Sequence, residues 1–187
     1  MPRRVLLLTG PAGVGKTTVI RAVAERLGKR PLGGFYTEEI RVRGERRGFA
    51  LVTFDGRRDV IAHVGGDSRH PRVGKYTVDV DVIDAMARST LAGNDAVDLY
   101  LVDEIGKMEC LSPAFVEATR ALLDAGVPLV ATVGQRGGGF IEEVKRRPDA
   151  ERWDVTRTNR DDVPARVLDW IAGHASDQRA RSRRRAR

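Results

Sequence analysis

GPAGVGKTT, residues 10–18, stands between two different hydrophobic patterns near the start of the chain. Before it, residues 4–9 (RVLLLT) form an apolar run of strand length. After it, apolar residues recur at helical spacing from Val19 to Leu27, and Gly28 ends that pattern. A strand, a turn with the spacing G-x-x-x-x-G-K-[ST] and a helix together predict a phosphate-binding loop, or P-loop.

The residue types of this loop fit the binding of a nucleotide. Its glycines let the backbone curl so that N–H groups point at phosphate oxygens. Lys16 is expected to reach the β- and γ-phosphates as a catalytic cation, and the Thr17 hydroxyl is expected to ligate Mg²⁺. The alternative, a glycine-rich turn that binds nothing, does not explain the flanking strand and helix. We therefore expect nucleotide contacts from the whole stretch: Gly10, Pro11, Ala12, Gly13, Val14, Gly15, Lys16, Thr17 and Thr18.

Composition predicts a cytoplasmic, monomeric domain. The 187 residues are 41% apolar, and the longest apolar runs are far too short to span a membrane. The one cysteine, Cys110, excludes an internal disulfide and fits a reducing compartment. A catalytic role for Cys110 is disfavoured, because no histidine lies nearby in the sequence.

The positive charge is concentrated at one end of the chain. Residues 175–187 carry six arginines and one aspartate, which account for +5 of the formal +7. We expect residues 1–174 to form the domain and residues 175–187 to be a disordered basic tail that binds polyanions weakly and nonspecifically. The charge pattern is not that of a wholly basic nucleic-acid-binding domain.

Strand and helix patterns alternate along most of the chain. We predict strands at 35–42, 49–54, 60–64, 76–80, 98–102, 128–133 and 153–156. We predict helices at 82–91 after Asp81, at 114–125 after Ser112-Pro113, at 140–147, and at 163–172 after Asp161 or Asp162. This order predicts an α/β fold with a largely parallel sheet, helices on both faces, and an antiparallel β-meander inserted at its edge.

Two adjacent carboxylates, Asp103 and Glu104, follow the predicted strand at 98–102. Ligands bind at the carboxyl ends of strands in open α/β sheets. We expect Asp103 to hold Mg²⁺, and Glu104 to orient the attacking water or take its proton. If the strand stays extended through this pair, the two side chains point to opposite sides and divide these tasks. The alternative is an exposed pair of loop carboxylates.

For the other candidates, a place on the solvated surface is the alternative to a functional role. A second-strand group, Tyr36, Glu38 and Arg41, could border the γ-phosphate pocket. Three loop arginines, Arg69, Arg72 and Arg136, could each supply transition-state charge. Lys107 could simply pair with Glu109. Surface or packing roles are expected for the three histidines, which are His63, His70 and His174.

Asn159 and Arg160 begin a string, NRDD, that loosely imitates the guanine-reading pattern N-K-x-D. The string follows the last predicted strand, where a nucleotide base would be held. We expect base-side contacts from Asn159 and Arg160, without selectivity for GTP.

Five strings occur in an order that resembles the small P-loop nucleoside triphosphatases, a family with archaeal, bacterial thermophile and human members. They are GPAGVGKTT (10–18), GFYTEE (34–39), VGKY (73–76), DEIGKME (103–109) and NRD (159–161). The resemblance covers residues 3 to about 172. It implies the P-loop NTPase fold with a kinase-like or RecA-like core. It also implies Mg²⁺-dependent hydrolysis of nucleoside triphosphates to diphosphate and phosphate, with broad base tolerance.

Two alternatives to hydrolysis remain at this point. The first is a nucleotide or nucleoside kinase of the same fold, with an acceptor pocket formed by residues 36–41 and 69–75. The second is a nucleotide-regulated module that binds RNA or protein, which only the basic tail favours. The sequence separates hydrolase from kinase poorly, because the same phosphate-binding residues serve both.

Overall fold

The computed structural model describes residues 4–67, 69–94 and 96–185, with residues 175–185 described by their backbone only. Within these residues the strands are β1 (Val5–Thr9), β2 (Leu32–Val42), β3 (Glu45–Thr53), β4 (Arg58–Val64), β5 (Arg72–Val73), β6 (Tyr76–Val78), β7 (Leu99–Ile105), β8 (Leu129–Val133) and β9 (Ala150–Asp154). The helices are α1 (Lys16–Leu27), α2 (Val80–Thr90), α3 (Pro113–Ala125), α4 (Phe140–Lys145) and α5 (Val163–Arg185).

The strands form one mixed sheet in the order β5-β6-β4-β3-β2-β7-β8-β1-β9. The half of the sheet from β2 to β9 is parallel, because β1 pairs with β8 and β9, and β7 pairs with β2 and β8. Successive residues of β1 point to opposite faces: Val5 and Leu7 join one hydrophobic core, and Leu6 and Leu8 join the other. A fully apolar strand is therefore buried on both faces.

Helices cover both faces of the sheet, as predicted. Buried side chains of α1 and α5 pack in the core that contains Leu6 and Leu8. Buried side chains of α2, α3 and α4 pack in the core that contains Val5 and Leu7. Each fully buried aliphatic or aromatic side chain contributes about 1.5–3 kcal/mol relative to an exposed one, so both layers stabilise the parallel strands.

Strand β2 joins the parallel half of the sheet to the antiparallel half. Its first residues, Leu32 to Phe35, pair with β7 in parallel, and Phe35 to Val42 pair with β3 in antiparallel register. Antiparallel pairing then continues from β3 to β4, β6 and β5. The predicted meander is confirmed, and it forms one edge of the sheet.

Several helix boundaries differ from the predictions; α4, for example, ends at Lys145 and not at residue 147, and α2 and α5 differ most. Helix α2 begins at Val80, and its N-cap is Asp79, not Asp81. The Asp79 carboxylate accepts a hydrogen bond from Val82 N (3.2 Å), which satisfies a free amide of the first turn. Helix α5 continues to Arg185 and does not end at Ala172. Alanine and arginine both favour helix, so the composition of this stretch sustains the backbone conformation. The division into a domain and a tail stays a prediction.

Several strands are also shifted by a few residues. The most consequential shift is in β7, which includes Asp103 and Glu104 and ends at Ile105. Across the described part of the chain, no helix is both long enough and apolar enough to cross a bilayer.

Candidate active site

The P-loop connects β1 to α1 as the sequence predicts. Gly15 forms the N-cap of α1 with φ 114°, a conformation that residues with a Cβ rarely adopt. Val14 is buried in the core beside α1 and anchors the loop, while Pro11, Ala12 and Gly13 are exposed. The free amides of the first turn of α1 and the helix dipole therefore face the region where the loop would hold an anion.

Lys16 lies at the centre of the loop. Its Nζ donates a hydrogen bond to Gly10 O (3.0 Å) and lies 3.5 Å from Glu104 Oε2. The Lys16 side chain is only 10% exposed, whereas that of Glu104 is 33% exposed. The ammonium group is thus held between the P-loop and the end of β7.

Asp103 is buried and is bound by hydroxyl groups from three different elements. Its Oδ2 accepts hydrogen bonds from Thr17 Oγ1 (2.7 Å) and Thr37 Oγ1 (2.9 Å), and its Oδ1 accepts one from Thr132 Oγ1 (2.6 Å). The Thr37 backbone N–H also points at Oδ2 (3.3 Å). These contacts fix the Asp103 carboxylate next to the first turn of α1.

Thr37 and Thr132 were not identified as site residues from the sequence. The only signal is that each is a hydroxyl residue in an otherwise strand-like segment on a strand next to β7. Threonine is common in strands, so this signal does not distinguish a site residue from a strand former.

A bulge brings both carboxylates toward the P-loop. Strand β7 pairs Val102 with Ala131 but Ile105 with Val133, so Asp103 and Glu104 together stand opposite a single residue of β8. Such a bulge breaks the regular alternation of side chains. The extended geometry that would send the two side chains to opposite sides therefore does not persist, and Asp103 and Glu104 contact the adjacent residues Thr17 and Lys16.

Burial raises the pKa of the Glu104 carboxyl group above its ordinary value; nearby Lys16 opposes this shift, and Asp103 adds to it. Burial, with the charge of Glu104 as the next contribution, raises the pKa of Glu109 to about 8. Burial also raises the pKa of the Cys110 thiol to about 12. A thiol that stays protonated is a poor nucleophile, which agrees with the expectation that Cys110 is not catalytic.

Asn159 and Arg160 lie beside the P-loop. Arg160 Nη1 is 3.5 Å from Val14 O, and its Cδ is 3.5 Å from the position that a Cβ on Gly15 would occupy. The Asn159 amide bonds within its own loop: Nδ2 donates to Asp154 O (2.9 Å) and Oδ1 accepts from Thr156 N (2.8 Å). The base-side role of both residues stays a prediction.

The second-strand candidates are spread along β2. Tyr36 contacts Phe54 and lies under the Arg21 guanidinium of α1, 5.2 Å from the ring centre. Glu38 forms an ion pair with Arg58 (3.2 Å). Arg41 binds Glu39 and the Gly44 carbonyl in the antiparallel half. These contacts favour structural roles for Glu38 and Arg41.

The arginine candidates lie in two different places. Arg69 binds Asp67, and Arg72 Nη2 is 3.4 Å from Lys75 O, both at the β5-β6 edge of the sheet. Arg136 is exposed in the loop after β8, the strand next to Asp103 and Glu104. Of these three arginines, Arg136 is the one that follows a strand paired with β7.

Among the described residues, Lys107, His63 and His174 make no hydrogen bond, ion pair or ring contact with the P-loop. Lys107 is exposed while Glu109 is buried, which argues against the predicted pairing of the two. His63 Nδ1 contacts the Val64 carbonyl, and His174 stacks on Trp170. These contacts are consistent with surface and packing roles.

The oxygen atoms at the end of β7 fit a hard divalent cation. Thr17 supplies a hydroxyl and Asp103 a carboxylate, 2.7 Å apart. Mg²⁺ prefers such oxygen ligands and is usually bound by one or two carboxylates together with substrate phosphates. No group of three His, Cys, Asp or Glu side chains among the described residues is arranged to hold a metal ion. The Thr17 hydroxyl and the Asp103 carboxylate fit the part of such a site that a protein supplies.

Comparisons with known proteins point to one family. A family model described as NTPase matches residues 5–168. Nucleoside-triphosphatase THEP1 of Methanopyrus kandleri is 40% identical over 177 residues, which cover 91% of this chain and 96% of the relative. The human cancer-related nucleoside-triphosphatase is 38% identical over 172 residues, which cover 84% and 90% of the two chains.

A solved structure leads to the same conclusion. The crystal structure of THEP1 from the hyperthermophile Aquifex aeolicus matches with a TM-score of 0.80 and 34% identity, covering 89% of this chain and 98% of the other. The predicted fold class, the resemblance and the hydrolase class are all confirmed. The chain belongs to the NTPase family, the nucleoside triphosphatases that include THEP1.

Proposed function

We propose that this protein hydrolyses nucleoside triphosphates, ATP and GTP among them, to diphosphate and phosphate in an Mg²⁺-dependent reaction. One observation carries the proposal: the end of β7 meets the P-loop at two adjacent points. The Thr17 hydroxyl donates a hydrogen bond to Asp103 Oδ2 (2.7 Å), and Lys16 Nζ lies 3.5 Å from Glu104 Oε2. A phosphate-binding loop, a metal-binding pair and a water-activating carboxylate are thereby brought together.

The P-loop residues bind and polarise the phosphates. Backbone N–H groups of the P-loop, Pro11 excepted because it has none, and the N-terminus of α1 would surround the β- and γ-phosphate oxygens. The Lys16 ammonium stabilises negative charge that develops on the β–γ bridge and the γ-oxygens. Because Lys16 is largely buried, its charge is screened less by solvent than a surface charge would be.

Thr17 and Asp103 are the residues that would hold Mg²⁺. When bound, the metal neutralises charge on the β- and γ-phosphates. Asp103 is oriented for this task by Thr37 and Thr132, which leave it little freedom to turn away.

Glu104 orients the attacking water and accepts its proton. Its side chain is partly exposed, so water can reach it, and its second oxygen is close to the Lys16 ammonium. Burial raises its pKa, which makes the carboxylate a better proton acceptor near neutral pH than an exposed one. Arg160 and Asn159 would border the base, without a contact that selects one base over another.

Phosphate release from ATP, GTP, CTP and UTP, with and without nucleoside and nucleotide acceptors, tests this proposal. We expect release from several triphosphates and no transfer to an acceptor; transfer would favour the kinase alternative.

Lys16→Ala should lower turnover at least ~10²-fold, because one preorganised charge is lost. A folded Lys16→Ala protein that hydrolyses ATP at the parent rate would contradict the proposal.

The proposal extends to a monomer in the cytoplasm with a dispensable tail. The single cysteine fits a reducing compartment, and the charge run at residues 175–187 fits a tail outside the domain. A chain truncated after Ala175 should keep its rate and melting temperature, while the parent's nucleic-acid binding should weaken steeply with salt. A dimeric mass in solution, or loss of activity on truncation, would count against these points.

A further inference from the structure

A second buried acidic side chain lies behind Glu104. Glu109 begins the 3-10 turn Glu109–Leu111, and only 5% of the residue is exposed. The proposed mechanism gives this residue no role. Burying a carboxyl group is unfavourable unless the group is neutral or well solvated by the protein, so its position calls for a physical reason.

The Glu109 and Glu104 carboxyl groups both border the space that a side chain at position 106 would fill, which Gly106 leaves free. A Cβ built on Gly106 would lie 2.8 Å from Glu109 Oε2 and 2.9 Å from Glu104 Oε1. Both distances are too short for a real Cβ, so the two carboxyl groups approach the same glycine backbone. On the β8 side, a Cβ on Gly134 would lie 3.6 Å from Glu104 Oε1. Oε1 of Glu104 therefore faces this enclosed side, while Oε2 faces Lys16.

The turn that carries Glu109 is fixed at both ends. Cys110 N donates to Gly106 O (3.0 Å), and Ser112 N donates to Glu109 O (3.0 Å). Ser112 Oγ in turn accepts a hydrogen bond from Phe115 N (2.9 Å) and donates one to the Asp84 carboxylate. These two bonds connect the turn to α3 and α2. A side chain held by such a turn can fix the position of a neighbour.

The protonation state of Glu109 suits this arrangement. Burial first, and the charges of Glu104 and Asp103 on β7 in addition, raise its pKa to about 8. Near neutral pH the group is therefore mostly uncharged. An uncharged carboxyl offers a polar surface to Glu104 without repelling it, as a second carboxylate would.

We propose that Glu109 is a positioning residue for hydrolysis, whose polar end rests behind Gly106 and keeps the Glu104 carboxylate turned toward Lys16 and the γ-phosphate. The inference rests on the proposed role of Glu104. Without the Glu109 carboxyl group, the enclosed side offers Oε1 of Glu104 one polar neighbour fewer, and the carboxylate turns toward solvent. Small displacements of a reacting group lower rates strongly, on the order of 10²-fold for 1 Å.

Two substitutions with side chains about as long as that of glutamate distinguish the effect of the polar end of Glu109 from the effect of its packing. Glu109→Met keeps the volume but removes the polar end, and we expect kcat to fall ~10- to 100-fold with KM unchanged. Glu109→Gln keeps a neutral polar end, and we expect it to retain most of the parent kcat. Glu117→Met, at an exposed position of α3, is the matched control for the substitution itself.

The Glu104→Gln background decides whether Glu109 acts through Glu104. Coupled residues are non-additive, so Glu109→Met should cause no further loss in that background. A loss by the same factor in both backgrounds, or a Glu109→Met kcat within about threefold of the parent, would overturn the inference.

Gly106→Ala provides the same test if Glu109→Met does not fold. Its Cβ would displace both carboxyl groups, so we expect kcat to fall in the parent and not in the Glu104→Gln background. An unchanged kcat in folded Gly106→Ala overturns the inference. A parent-like rate in Glu104→Gln alone would instead overturn the proposed catalytic role of Glu104, and the inference with it, while hydrolysis itself would stand.

Discussion

The parallel and antiparallel halves of the sheet differ in how deeply their strands are buried and in where their polar side chains lie. In the parallel half, β1 and β8 are buried along their whole length, and polar groups appear where the strands end. In the antiparallel half, β2 and β3 are exposed toward their shared hairpin and carry surface ion pairs such as Glu39–Arg46. Parallel strands place all their carboxyl ends at one edge, whereas a hairpin places neighbouring strand ends at opposite edges.

The comparison shows why the site forms where it does. Asp103 and Glu104 lie near the end of β7, Thr132 is on β8, and the P-loop follows β1. Three parallel strands therefore bring their side chains to one edge. The antiparallel half contributes Thr37, from the segment where β2 has just left its parallel pairing. Substitutions should therefore affect catalysis in the parallel half and stability alone in most of the antiparallel half.

The largest effect is expected from Glu104→Gln. Loss of a general base usually costs ~10²- to 10⁴-fold in kcat. Nucleotide binding should change little, because Lys16 and the P-loop amides remain, and the variant should hold unhydrolysed triphosphate. Nucleotide affinity and single-turnover hydrolysis measure the two effects separately. A single-turnover rate within about tenfold of the parent, below the range for a base, would remove Glu104 from the catalytic set.

Asp103→Asn should act on the metal. We expect the Mg²⁺ concentration for half-maximal rate to rise at least ~10-fold, because even residues behind a metal ligand change affinity by 10- to 100-fold. The amide keeps the size of the side chain but loses the charge. Its NH₂ group replaces one acceptor oxygen, so the hydroxyl hydrogen bond of Thr132 at Oδ1 or those of Thr17 and Thr37 at Oδ2 are lost. Titrating Mg²⁺ at saturating nucleotide measures the shift. An unchanged Mg²⁺ dependence would show that Asp103 is not a ligand.

Local patterns predict one part of the site and miss another. The P-loop, Asp103 and Glu104 are encoded in short strings whose spacing determines their position. Two of the hydrogen-bond partners of Asp103 are not encoded in this way, because Thr37 and Thr132 lie 66 and 29 residues from it along the chain. Their roles depend on which strands become neighbours of β7. The Asp79 cap was missed for a local reason: Asp79 and Asp81 are both good caps, and helical register decides between them.

The free energy of unfolding should depend on pH through Glu109, which lies in the turn that follows β7 of the parallel half. Its pKa is about 8 in the folded protein against an ordinary value of 4.5, so between these pH values the unfolded chain releases a proton that the folded chain keeps. Rising pH therefore destabilises the fold through this group, and the penalty reaches its full size above about pH 8.

Glu109→Gln isolates this contribution, because glutamine does not titrate. The melting temperature of the variant should rise relative to the parent as pH increases from about 5 to about 8, with no further change above that. Cys110 ionises far outside this range in the folded protein, at about 12. Two melting curves that stay parallel from pH 5 to pH 9 would contradict the assignment of this pKa.

The smallest effect is expected in the antiparallel half, from Glu39→Gln. Glu39 accepts hydrogen bonds from Arg46 Nη1 (2.7 Å) and Arg41 Nη2 (2.6 Å), and all three side chains are substantially exposed. Burial raises the pKa of Glu39, but these two arginines outweigh it and hold the pKa below its ordinary value. The stabilisation is therefore present above the ordinary pKa and is lost as pH falls through the lowered value.

Exposed ion pairs contribute only about 0–1 kcal/mol, so Glu39→Gln should lower the melting temperature by at most about 4 °C in a chain of this size. The difference should shrink at high salt, since solvent ions screen exposed charges. Glu117→Gln on α3 is the control for removing one exposed carboxylate. Turnover of Glu39→Gln should equal that of the parent. A tenfold fall in kcat would break the contrast between the two halves, because it would make the hairpin of β2 and β3 part of the catalytic machinery.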